Sequence, residues 1–142
     1  MTLYLDTEYN AHGGSLISLA LVSNTFATFY GVVDVPRYEA WHPWVKRHVR
    51  PYLGQAAEPR GEFRARLHEF LQSHEGEEII ADWPDDFAHL MREMAGPSYE
   101  ESWMVECSLR LIKSGEIKSR QPHNALSDAE ALMHWHLLEI AA

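Results

Sequence analysis

The chain has 142 residues, 46% of them hydrophobic, which suits one domain, residues 1–142, built around one core. Lys and Arg total 12 against 21 Asp and Glu, a net charge of −9. That balance excludes a protein that grips nucleic acid by bulk positive charge, but not an enzyme that meets a few phosphates through bound cations.

Residues 2–6 read as an apolar strand. Asn10–Gly14, with its Gly-Gly pair, reads as a turn. Residues 16–23 and 26–33 are apolar, β-branched and aromatic, and are expected to add two strands of a meander, split at Asn24-Thr25. The aromatic and basic stretch 36–53 admits a short helix over about 43–49, with Pro43 in its first turn. Residues 62–73 place Phe63, Leu67, Phe70 and Leu71 on one helical face. Residues 79–81 form a short buried strand, and 85–94 a helix with Phe87, Leu90, Met91 and Met94 at helical spacing. Residues 103–112 are ambiguous: 105–112 have helical spacing, while 102–105 fit a strand end. Residues 127–140 close the chain as a helix with Ser127 at its start. This order predicts an α/β fold with a mixed sheet covered by helices.

The longest apolar run, Leu16–Val22 broken by Ser18, is too short to cross a bilayer. No positive residue precedes Asp6, as a secretory leader requires, and the single cysteine, Cys107, cannot form an internal disulfide. A cytoplasmic setting without a membrane is therefore expected.

The chemistry is carried by acids at element ends. Asp6 and Glu8 in "TLYLDTEYN" are two apart on a strand, so they point the same way, about 7 Å apart along the chain. Such a pair is costly unless a positive charge sits between them. Asp82 ends a strand, Asp85 and Asp86 open the next helix, and "HNALSDAEAL" places His123 in a loop and Asp128 in the first turn of the last helix. Strand ends and first helix turns are where α/β folds build sites.

Asp-x-Glu on the first strand, an aspartate opening a middle helix and His-x-Ala-x-x-Asp before the last helix resemble the DEDD 3′–5′ exonucleases of the histidine subgroup. The likeness spans nearly the whole chain, and its shortness, "LDTEY", "SLISLALVS" and "WVKRHVRPYL" are most similar to the compact ribonuclease AS-like exoribonucleases. The resemblance implies an RNase H-like mixed sheet, a three-stranded antiparallel meander plus parallel strands, flanked by helices. It implies two divalent cations, magnesium or manganese, held by Asp6, Glu8, Asp86 and Asp128. Asp6 bridges the two, Glu8 and Asp128 complete the tighter site, and Asp86 holds the second cation. His123 is the general base of a two-metal hydrolysis. The substrate implied is the 3′ end of single-stranded RNA, with DNA as the alternative, and a homodimer is compatible with the likeness.

Asp86 is favoured for the second motif because Leu90 follows four residues on. Asp82 is a secondary candidate, and Asp85 suits a charge favourable at a helix N-terminus. Tyr9 and Arg120 are candidates for contact with substrate. The five tryptophans and the remaining eight histidines are expected to be packing or surface groups. Two rival readings stay open, a 3′–5′ DNA exonuclease and a catalytically silent domain that binds RNA ends or a partner. An RNase H-type endonuclease is disfavoured by His123 five residues before Asp128.

Overall fold

The computed structural model describes residues 1–95 and 103–142. In chain order the elements are β1 (Thr2–Tyr9), β2 (Leu16–Ser23), β3 (Thr28–Val32), α1 (Pro43–His48) with a 3-10 turn at Arg50–Tyr52, α2 (Arg60–Gln72), β4 (Glu78–Ala81), α3 (Pro84–Met94), β5 (Ser108–Leu111) and α4 (Ala125–Ala141). One five-stranded sheet runs in the order β3-β2-β1-β4-β5. The first three strands form an antiparallel meander, β4 joins β1 in parallel, and β5 joins β4 in parallel. This is the RNase H-like mixed sheet that the resemblance implies.

The two faces of β1 show how the pattern builds the layers. Leu3 and Leu5 face a core that includes Phe29, Phe63, Leu67, Ile79, Leu90 and Met94, where α2 and α3 cover the sheet. Tyr4 points the other way, into a cluster with Ala20, Val22, Ile80 and the α4 residues Ala125, Ala129, Leu132 and Met133. The buried α4 positions recur at helical spacing, so this helix presents one continuous apolar stripe to the sheet. Gly31 lets α2 close on β3: a Cβ there would meet the Phe63 ring at 2.5 Å. A smaller cluster of Ile17, Val35, Val45 and Val49 seats α1. Glu93 of α3 is buried and accepts from Arg60 and Arg64, the latter through Nε at 2.8 Å, which ties α3 to α2.

Several boundaries differ from the expectation. β1 runs on to Tyr9, because β2 pairs it through the acids, with a register shift between Glu8 and Tyr9. β3 begins at Thr28 instead of residue 26, since Phe26 has φ 68° in the turn. Ser23 Oγ accepts from the N–H groups of Thr25 and Ala27 and holds that turn. α4 begins at Ala125, two residues early: Asn124 is its cap, accepting from the Ser127 N–H at 3.1 Å, while Ser127 Oγ accepts from the Gln121 N–H. The helical reading of 105–112 is overturned. Val105, Leu109 and Ile112 do recur at helical spacing, but Ser108–Leu111 complete the sheet beside β4. Pairing with an open sheet edge outweighs the pattern in so short a segment. Of the strand end read at 102–105, residue 102 lies outside the described residues, and Met104 and Val105 are irregular. No described helix is long and apolar enough to cross a membrane.

Candidate metal centre

The acids meet because β1 and β4 run parallel. Tyr4 pairs with Ile80, and Asp6 and Asp82 each follow two residues later, at the same end of the sheet. Alternation then assigns the faces. Asp6 and Glu8 continue the Tyr4 side, beneath which α4 begins, so Asp128 in its first turn joins them. One oxygen from each of Asp6, Glu8 and Asp128 lies within 4.8 Å of the others, a group able to hold a metal ion. Thr7 points to the opposite face and donates its hydroxyl to Asp86 Oδ1 at 2.6 Å, orienting that carboxylate in the first turn of α3. Asp86 is 2% exposed.

The electrostatics are severe. Burial, then the charges of Asp86, Glu8, Asp128 and Asp82, raise the Asp6 carboxyl well above the usual range. Glu8 is pushed up to about 8 by burial and by the charges of Asp128 and Asp86. Asp86 is pushed up to about 7, chiefly by burial; the Thr7 hydrogen bond opposes the rise and the Asp82 charge adds to it. Burial raises Asp128 too. Asp6 Oδ2 and Asp86 Oδ2 are buried without a hydrogen-bond partner. Buried carboxylate oxygens left unpartnered and crowded together are a standing cost that protons or bound cations must relieve. The donor set is all carboxylate oxygen, which suits a hard divalent cation better than a soft one.

The cluster opens into a cavity of about 480 Å³. Asp6, Glu8, Asp86 and Asp128 line it together with Tyr9, Trp83, His42, Trp44 and His123. A second cavity of about 250 Å³ shares Asp6, His123 and Asp128 and adds Asp82, Ser119 and Pro122. His123 therefore stands between the two. Its φ is 68°, a left-handed conformation uncommon outside glycine, and its N–H donates to Asp128 Oδ2 at 3.0 Å. The Trp44 ring meets the His123 ring edge-on, with centroids 5.0 Å apart.

The wall that carries Trp44 is fastened to the β1–β2 turn. Asn10 is buried; its Nδ2 donates to Glu39 Oε2 at 2.9 Å and to the Ala40 carbonyl at 2.8 Å, and its Oδ1 accepts from the His42 N–H at 2.7 Å. Ser15 donates to Glu39 through both its N–H and its hydroxyl. These bonds, Asn10's first, hold the Glu39 carboxyl below its usual range. His42 Nδ1 in turn accepts from the Trp44 N–H at 3.2 Å and caps α1.

The structure thus brings Asp6, Glu8, Asp86, Asp128 and His123 to one cavity. Asp82 borders only the smaller cavity and accepts from Ser114 Oγ at 2.6 Å. Asp85 accepts from the Tyr9 hydroxyl at 3.2 Å at the rim. Tyr9 lines the large cavity with one ring face stacked on His89, centroids 4.6 Å apart. Burial first, then Asp85, push its hydroxyl up to about 12. Arg120 lies apart, exposed, beside a separate depression with Lys118, Glu130 and His134. Two tryptophans depart from the packing role expected of them: Trp44 is 47% and Trp83 55% exposed, and both line the cavity. Neither Thr7 nor Asn10 stands out in the sequence. Thr7 lies between the paired acids and Asn10 precedes a Gly-Gly turn, positions whose partners are decided by the fold. No protein-family model and no curated protein matches this chain.

Proposed function

We propose that this chain is a metal-dependent 3′–5′ exonuclease acting on single-stranded RNA. The observation that carries the reading is the convergence of Asp6, Glu8 and Asp128 within 4.8 Å, with Asp86 and His123 lining the same cavity. The RNase H-like sheet supports it, as does the likeness of the motifs to the histidine subgroup of DEDD exonucleases.

Asp6, Glu8, Asp86 and Asp128 would hold two magnesium or manganese ions. Bound there, the ions supply a more acidic water and neutralise charge at the leaving oxygen. The chain's own residues do the rest. His123 takes the proton of the attacking water on a ring nitrogen, a task suited to neutral imidazole. Trp44 and the Asp128 carboxylate fix that ring and its backbone. Tyr9 and the exposed Trp83, both lining the cavity, offer aromatic surface to the terminal base. The Thr7 hydroxyl holds the Asp86 carboxylate in place.

The test is to incubate 5′-labelled RNA and DNA oligomers with the protein and manganese. A ladder receding from the 3′ end, faster on RNA, is the expected result. Faster DNA cleavage would reassign the sugar preference. Internal cuts, or intact oligomers from a folded and metal-loaded sample, would overturn the reading.

A further inference from the structure

The cavity accommodates about one nucleotide, so the rest of a bound strand must leave across one of its walls. The walls differ in charge. The start of α3 carries Asp85 and Asp86 and repels phosphate. The 117–122 wall borders the second cavity, but Lys118 and Arg120 face a depression shared with Glu130. The wall made by α1 is different. Between Ala40 and Ala57 there is no acid, while Lys46, Arg47 and Arg50 are all exposed, in a chain of net charge −9.

Arg60, Arg64, Arg66 and Arg110 each lie against a glutamate. Among the described residues, Lys46, Arg47 and Arg50 have no acidic partner within ion-pair distance. Of the nine cations outside this wall, Arg37, Arg92, Lys113, Lys118 and Arg120 also lack an ion-pair partner among the described residues, but none of them lines the large cavity or adjoins His123 as α1 does. Helical spacing puts Trp44 and His48 on one face, and their rings lie 4.7 Å apart. Arg47, three residues from Trp44, flanks that face on the side away from the buried Val45 and Val49. Arg50 sits over the Trp41 ring at 5.1 Å, so its charge is held in place. The Asn10–Glu39 clamp fixes the whole arm.

We infer that the outer face of α1 is the track along which the sugar-phosphate backbone upstream of the terminal nucleotide leaves the cavity, with Arg47 its first contact. The inference rests on the exonuclease reading for what occupies the cavity. An acidic molecule needs a local positive lane to admit a polyanion to an acid cluster, and this is the lane adjoining His123.

The test compares the wild type with K46Q/R47Q/R50Q and with the control R92Q/K113Q/K118Q, all exposed and outside the site, after equal melting temperatures confirm folding. Binding of a fluorescein-labelled RNA of ~15 nucleotides is read by anisotropy with calcium across a salt series. Hydrolysis of the same RNA and of a dinucleotide is read with manganese. For the α1 triple, affinity for the long RNA should fall about tenfold and the log–log salt slope should flatten by about 2, since each phosphate contact on a single strand contributes about 0.7. R47Q alone should carry the largest share, and dinucleotide turnover should stay within about twofold of wild type. An unchanged slope, or a larger loss in the control triple, overturns the track. A wild type that binds the long RNA through α1 yet cleaves neither substrate would overturn the exonuclease reading and leave the track standing. No binding by wild type would overturn both.

Discussion

His123 is the residue whose replacement separates chemistry from ion binding. Asparagine tolerates the positive φ at this position, so His123→Asn should leave the loop intact. The expected outcome is a loss of about 10²–10⁴ in kcat with the manganese-induced rise in Tm retained. His134, exposed on α4, is the control, and His134→Asn should change neither. Equal damage from the two would remove His123 from its role. Asp6 makes the opposite prediction. It carries the strongest crowding in the cluster, so Asp6→Asn should abolish hydrolysis, remove the metal-induced shift and raise Tm in chelator. A lower Tm in chelator would mean that the carboxylate is stabilising as it stands.

At the scale of elements, the β1–β2 turn and α1 act as one unit through Asn10. Its amide satisfies Glu39, Ala40 and the His42 N–H, and their loss should cost about 1–3 kcal/mol. Asn10→Ala is therefore expected to lower Tm and to raise KM more than it lowers kcat, because the wall moves while the acids stay. Steady-state kinetics on short RNA would check this split. The same scale shows what could be read in advance. Asp6, Glu8 and Asp128 are legible because strand alternation and a helix start fix their direction from local pattern, whereas His123, in a loop, is legible only through the motif resemblance. Asp86 is one of three neighbouring aspartates, and what sets it apart, the Thr7 hydroxyl that holds its carboxylate, is a partner only the fold supplies. Trp44 and Trp83 look like core residues by composition, but only the way α1 and α3 dock leaves their rings exposed at a cavity. The segment that forms β5 stays ambiguous in the sequence because four residues hold too few periods to separate strand from helix, and its identity depends on β4 lying beside it.

For the molecule as a whole, the crowded acids set a pH dependence. Glu8 titrates near 8 and Asp86 near 7 in the fold, and both lie near 4 when unfolded. Raised folded values mean that the native state holds protons the unfolded chain has released. In chelator, stability should therefore fall as pH rises from about 4.5 through about 8, the reverse of a protein stabilised by carboxylate ion pairs. Magnesium or manganese should flatten this profile by taking over from the protons. Thermal melts at pH 5, 6, 7 and 8, with and without metal, would test it, and a flat profile in chelator would contradict the crowding.

The Asp128 carboxylate has two obligations, one to the acid cluster and one to the backbone N–H of His123. Whatever draws that carboxylate inward must also tug on the amide above it. The nitrogen-bound proton of His123 is thus a built-in gauge of occupancy. In a two-dimensional nitrogen–proton NMR titration with magnesium, its resonance should march with the added ion, while that of exposed His134 stands still.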